Sequence, residues 1–230
     1  MQALLAFAAA LVSLRLAGAL RARGRPAWAA ALLAYAVASA ALAWGAAHGW
    51  DPRVFRVYYL AGGLLTAPLF GVGSLLLVGW RWAAPLGFAW LGLALGVAVA
   101  MPVHGAFGTG IPAAQDHLSV APRVFAIAGN SLGTLAVVGV ALATIRRRPL
   151  GNAFILAGVA VAAAGSGLAG LGVSAMSGFA LAAAALLYLG VAAPSFSRRR
   201  SLTTRGSAVP PVSFITWPTK KPSRPSLPPR

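Results

Sequence analysis

From residue 150 to residue 193 the chain carries no charged side chain, and the stretch is built almost wholly from Ala, Gly, Leu and Val. No water-soluble domain buries a segment of that length and composition along one element. A bilayer does, because about 20 consecutive apolar residues span its hydrocarbon core as a helix. Read with that ruler, the sequence holds seven spans: 1–20, 27–48, 54–79, 85–103, 123–145, 150–170 and 172–193. The last two share the uncharged run, which is too long for one crossing, and Gly170, Gly172 and Ser174 predict a tight turn between them. The runs are continuous rather than alternating in short segments, which excludes a transmembrane β-barrel. The expected fold is all-α: a polytopic bundle of seven transmembrane helices over residues 1–193, followed by a tail over 194–230.

Hydrophobic residues make up 59% of the chain and charged ones only 9%, against about 25% charged in a soluble domain. The charge is also one-sided. All but three of the 19 basic residues fall on a single side of a seven-span layout, the three being Arg53, Arg56 and Arg123. By the positive-inside rule this predicts the N-terminus outside, the C-terminus in the cytoplasm, and a multi-pass protein of a bacterial plasma membrane. The first segment has its arginines after the apolar stretch, the wrong polarity for a cleaved signal peptide. Trp44, Trp50, Tyr58 and Tyr59 are expected to mark the outer interface, and Trp28, Trp80 and Trp82 the inner one.

The tail from Pro194 holds half of the chain's 16 prolines and no acid, and it is expected to be disordered. Its Arg198, Arg199 and Arg200, with Arg146, Arg147 and Arg148 before the sixth span, are candidate contacts for anionic lipid headgroups on the inner side. The basic charge lies in membrane-flanking loops and a tail poor in aromatic residues, so nucleic acid is not an expected partner.

The residue inventory excludes whole chemistries. There is no cysteine, so disulfides, thiolate metal sites and thiol catalysis are absent. Asp51 and Asp116 are the only acids, and no charge falls in the middle of a span, Arg15 lying near an end. Proton relays and voltage sensors need such charges. The first lysine is Lys220, so no helix offers a Schiff-base lysine. Gly71-Val72-Gly73-Ser74 lacks the lysine of a phosphate loop and sits inside a span. No catalytic constellation is present, and the chain is expected not to be an enzyme.

What the spans do carry is small. Gly62, Thr66, Gly73 and Ser74 share roughly one face of the third span, which Pro68 should kink. Gly92 and Gly96 stand at GxxxG spacing in the fourth, Gly129, Asn130, Gly133 and Thr134 lie in the fifth, and Gly158, Ala162, Ser166 and Gly170 in the sixth. Small residues let helix backbones approach, and hydroxyls or amides bond across the contact. The blander role of these residues is packing within the bundle or against a partner membrane protein or second copy. The sharper one is a polar, outward-opening cavity around Asn130, Ser131, Thr134 and Thr66, with Asn130 roughly 10 Å into its span by the 1.5 Å rise per residue.

Every histidine and acid falls on the outer side. His48, His104, Asp116 and His117 are suitable ligand types for a transition metal, and His48 with His104 for haem. No spacing motif accompanies them, so a bound metal or haem on the outer face is the alternative to an expectation of no cofactor. Asp51-Pro52 reads as N-cap and first residue of the third helix. Asp116 has Arg53, Arg56 and Arg123 as candidate partners. The loop from His104 to Pro122 is longer than most unstructured connections.

Two stretches resemble a known group. Phe55-Arg56-Val57-Tyr58-Tyr59-Leu60-Ala61-Gly62-Gly63-Leu64-Leu65-Thr66, continuing to Gly71-Val72-Gly73-Ser74, is one. Ala126-Ile127-Ala128-Gly129-Asn130-Ser131-Leu132-Gly133-Thr134, continuing through Arg146–Arg148 to Gly151-Asn152, is the other. Both are similar to uncharacterised seven-span bacterial membrane proteins of an actinobacterial type, over roughly the third to the seventh span. The resemblance implies no activity and no catalytic residues. The expected function is a non-enzymatic sensor, assembly or accessory component. The alternative is a small-molecule permease with its cavity near Asn130.

Overall fold

The computed structural model describes residues 1–108, 110–170 and 176–193. The predicted turn at 171–175 and the tail, with Arg198, Arg199 and Arg200, lie outside the described residues. Within them the chain is helical, the isolated bridge between Val103 and Leu118 being the only strand-like pairing. The helices are α1 (Gln2–Ala22), α2 (Pro26–His48), α3 (Pro52–Tyr58), a π-helical stretch (Tyr59–Thr66), α4 (Ala67–Leu77), α5 (Ala83–Ala100), the single turn α6 (Ala114–His117), α7 (Val120–Ala143), α8 (Pro149–Gly170) and α9 (Met176–Ala192).

Six continuous helices are long and apolar enough to cross a membrane: α1, α2, the composite running from Pro52 to Leu77, α5, α7 and α8. The apolar α9 has 17 residues and is the shortest of the predicted spans. The expected boundaries agree with these helices to within a few residues. Their local causes are visible. Asp51 caps α3 as its spacing predicts, accepting from the Arg53 and Val54 amides at 2.7 and 3.0 Å, with Pro52 at the first helical position. Arg56 reaches from α3 to the far end of α5, where its guanidinium donates to the Val99 and Met101 carbonyls at 3.1 and 3.0 Å. It thereby satisfies carbonyls that end a helix, rather than pairing with Asp116.

Pro68 interrupts the third span by chemistry rather than by a simple bend. In an α-helix the Leu64 carbonyl would bond the amide of residue 68, and proline has none. The backbone widens into the π-helical turns just before it, and the indole of Trp90 on α5 donates to the Leu64 carbonyl at 2.8 Å. A tryptophan from the neighbouring helix thus supplies the missing donor. Its ring stacks on Phe125 of α7 with centroids 4.3 Å apart, which fixes the indole in place.

The bundle is organised around α2, which lies against α1, α3, the π stretch and α4. On one flank α4 packs on α7. On the other, α1 packs on α9, and α9 pairs along its length with α8. Contact between α7 and α8 is far sparser, so the ring of helices has a seam there. The closest approach is at glycines. A Cβ at Gly71 would sit 2.7 Å from the Gly133 Cα, and one at Gly133 would overlap the Ala67 carbonyl. The α8–α9 pair uses Gly151 and Gly190 in the same way. This matches the packing role expected of the small residues, with one exception: Gly92 and Gly96 of α5 face open space.

The expected aromatic belts are corrected in part. Trp44, Trp80 and Trp82 are exposed, as interface residues should be. Trp50, Tyr59 and Trp28 are buried core residues instead. Trp50 fills the space over Gly45, Tyr59 packs on Phe55, and Trp28 meets Phe70 edge-on at 5.1 Å. Their rings are large enough to fill the gaps that a glycine- and alanine-rich bundle leaves.

The α4–α7 contact has a direct test. Gly133→Ala should destabilise the protein by about 1–3 kcal/mol, the usual penalty of overpacking. Gly139→Ala, whose added methyl meets no atom within 4 Å, should be neutral or slightly stabilising. Thermal unfolding of both in the same detergent makes the comparison.

Candidate functional site

The helices enclose a cavity of about 830 Å³. Its walls come from α2, the π stretch, α4, α7, α8 and α9, and residues Ile111–Gln115 close one end. The widened π turns set part of this wall, because Tyr59, Gly62, Gly63 and Thr66 all line it. Asn130, Ser131 and Thr134 line it from α7, so the structure brings together the four residues expected to surround a polar cavity. Among the described residues no charged side chain contributes to the lining.

The polar groups divide into committed and uncommitted ones. The Tyr35 hydroxyl donates to the Ala180 carbonyl at 2.9 Å, Tyr58 to the Met176 sulfur at 3.1 Å, and Thr66 to the Ala61 carbonyl five residues back at 2.7 Å. The first two bonds tie α2 and the end of α3 to α9, and the third lies within the π stretch. On α7 matters differ. The Asn130 Oδ1 atom is buried with no partner. A buried acceptor left unmade costs about 1–3 kcal/mol, so this side chain does not pay for itself through stability.

The cavity opens along the seam between α7 and α8. Ser131 and Leu135 on one side, and Ala163 and Ser166 on the other, line it and are also exposed. The seam closes toward the arginine-bearing end of the bundle. There the Asn152 side-chain amide of α8 donates to the Ala141 carbonyl at 3.1 Å and to the Thr144 hydroxyl at 2.9 Å. Trp28 and Val137 line both this cavity and a smaller one at that end, and so form the partition between them.

The candidate metal residues sit differently. His117 is buried, donates through Nδ1 to the His104 carbonyl at 2.8 Å, and stacks on Phe107 at 4.3 Å between centroids. Opposite a carbonyl, Nδ1 carries the proton. The His104 amide in turn donates to the His117 carbonyl at 3.0 Å. His48 stacks on Trp44 at 4.3 Å, and Asp116 lies in α6. Among the described residues no group of three or more such side chains is placed to hold a metal ion. The structure gives His104 and His117 a pinning role in the loop after α5, which ties down a segment whose length alone left it open. Of the candidate lipid contacts, Arg146, Arg147 and Arg148 lie in the turn between α7 and α8, and Arg148 Nη2 donates to the Ala193 carbonyl at 2.9 Å.

Tyr35 and Ser39 on α2, and the α9 residues facing them, were not legible as cavity residues, because only the tertiary arrangement sets α9 opposite α2. Pro68 was the available signal for the π stretch, read as a kink.

The two asparagines should respond in opposite ways. Asn152→Leu should lower stability by about 1–3 kcal/mol by leaving the Ala141 carbonyl without this donor. Asn130→Leu should leave the unfolding temperature in detergent unchanged or raised. Parallel thermal melts check both. No family model, no curated protein and no solved structure matches this chain.

Proposed function

We propose that this chain is a non-enzymatic, multi-pass protein of a bacterial plasma membrane that binds a neutral amphipathic small molecule within its bundle, as a sensor or accessory component does. The observation that carries the reading is the cavity of about 830 Å³, uncharged among the described residues, with Asn130, Ser131 and Thr134 in its wall. A volume of this size falls in the range of small-molecule sites, which are mostly apolar with a few polar groups that fix orientation. The absence of charge in the lining selects against ions, since a desolvated charge needs a partner. A ligand with one hydrogen-bonding group and an apolar body fits the chemistry, and the α7–α8 seam offers entry from the bilayer.

A permease for the same kind of molecule is the second reading. The broken helix favours it, because transporters build their sites from interrupted spans whose irregular backbone lines a cavity. The partition of Trp28 and Val137 favours retention, because it ends the cavity before the arginine-rich end. In the same reading that end lies in the cytoplasm by the positive-inside rule.

Two measurements test these statements. Native mass spectrometry of the protein released from its own membranes should show a neutral small molecule bound to the wild type and lost from Asn130→Leu. Equal retention by the variant, or an empty wild type that binds nothing from a membrane extract, contradicts the assignment. The natural chain has no cysteine, so single-thiol variants report topology without background. Gly108→Cys should react with an impermeant maleimide on intact cells, and Arg23→Cys only after permeabilisation.

A further inference from the structure

The smaller cavity, about 230 Å³, lies where α2 and α8 begin and α4 and α7 end. Arg25, Arg147 and Arg148 line it, together with Ser74, Thr144, Asn152 and the Trp28 ring. Three guanidiniums around one small cavity repel one another and call for a counter-charge. The chain contains none at this end. Its two acids are Asp51, which caps α3, and Asp116, in α6, and both lie at the opposite end of the bundle. Arg148 is partly buried, its Nη2 is spent on the Ala193 carbonyl, and its Nε is buried with no partner. Arg25, the half-buried N-cap residue of α2, and the exposed Arg147 complete the ring of positive charge. The buried Nε of Arg148 is a donor for which the described residues provide no acceptor.

We infer that this cavity is a binding site for a phosphate group, held by Arg25 and Arg147 with Arg148 as the fixed third charge. Guanidinium recognises a phosphate oxyanion through charge-assisted, often paired, N–H bonds. Ser74 adds a hydroxyl to the same wall, while the Thr144 hydroxyl is already committed to the Val140 carbonyl at 2.7 Å, and the first turns of α2 and α8 turn their positive dipole ends toward this end of the bundle. The same phosphate chemistry is available from a phospholipid headgroup in the adjoining leaflet and from a soluble phosphate ester. This site is separate from the larger cavity and stands whether or not that cavity holds a ligand.

The test uses the full chain in micelles of a maltoside detergent, which carries no phosphate, and reads the unfolding temperature. In one arm phosphatidylglycerol is added to the micelles. In the other, inorganic phosphate is added to the buffer at constant ionic strength. A rise of about 5–10 °C, the size expected of a ligand well above its dissociation constant, is the predicted result in at least one arm. A rise with the lipid alone names the headgroup as the source, and a rise with free phosphate names the soluble ester. In Arg25→Gln/Arg147→Gln the rise should be lost, while the melting temperature without the anion stays near that of the wild type. Arg148 is left intact because it also holds the end of α9. Arg23→Gln, at an exposed position in the loop before α2, should keep the full rise. No rise in either arm overturns the site. So does an equal loss in Arg23→Gln, which would mark a diffuse attraction between a basic surface and anions.

Discussion

A peptide carbonyl deprived of its amide inside hydrocarbon has no water to turn to, and the third span is arranged around one such carbonyl, that of Leu64. Pro68 removes its α-helical partner. The indole of Trp90 supplies the replacement donor, at 2.8 Å. That bond commits α5 to the middle of the span. The stacking of Trp90 on Phe125 then brings α7 into the same assembly, and the missing side chain of Gly129 makes room for the ring. One missing amide therefore fixes three helices. The π turns that accompany it widen the backbone where Gly62, Gly63 and Thr66 meet the large cavity. The interruption and the cavity share a cause.

Because the bilayer gives little hydrophobic reward for bringing one apolar helix against another, the bundle depends on how closely backbones can approach. At Gly71 and Gly133 the main chains of α4 and α7 are in contact, and at Gly151 and Gly190 those of α8 and α9 are. Between these two tight pairs the α7–α8 seam has no such contact except at its Asn152 end. The cavity is thus bounded by two well-packed units joined through α1 and α2, and its opening lies where small-residue packing stops.

The spans were legible because the bilayer makes length and charge decisive, and the Asp51 cap was legible because capping is local. The grouping of Asn130, Ser131, Thr134 and Thr66 was legible because helical spacing puts the first three on one side of one helix. What failed was whatever depended on a partner element. Tyr59, Trp50 and Trp28 carry the composition of a membrane-interface belt, and only the neighbouring glycines and rings turn them inward. Gly92 and Gly96 have the spacing of a helix contact, but among the described residues no atom lies within 4 Å of a Cβ placed at either. Arg25 reads as one of several flanking arginines until the turn between α7 and α8 brings Arg147 and Arg148 to the same cavity.

Trp28 stands between the two cavities with its position set on both sides. Phe70 holds its face edge-on, and Gly73 leaves only enough room for its edge, since a Cβ there would come within 2.5 Å of the ring. An indole fixed on both sides cannot yield to either cavity, so the two remain distinct compartments that do not draw on each other's volume.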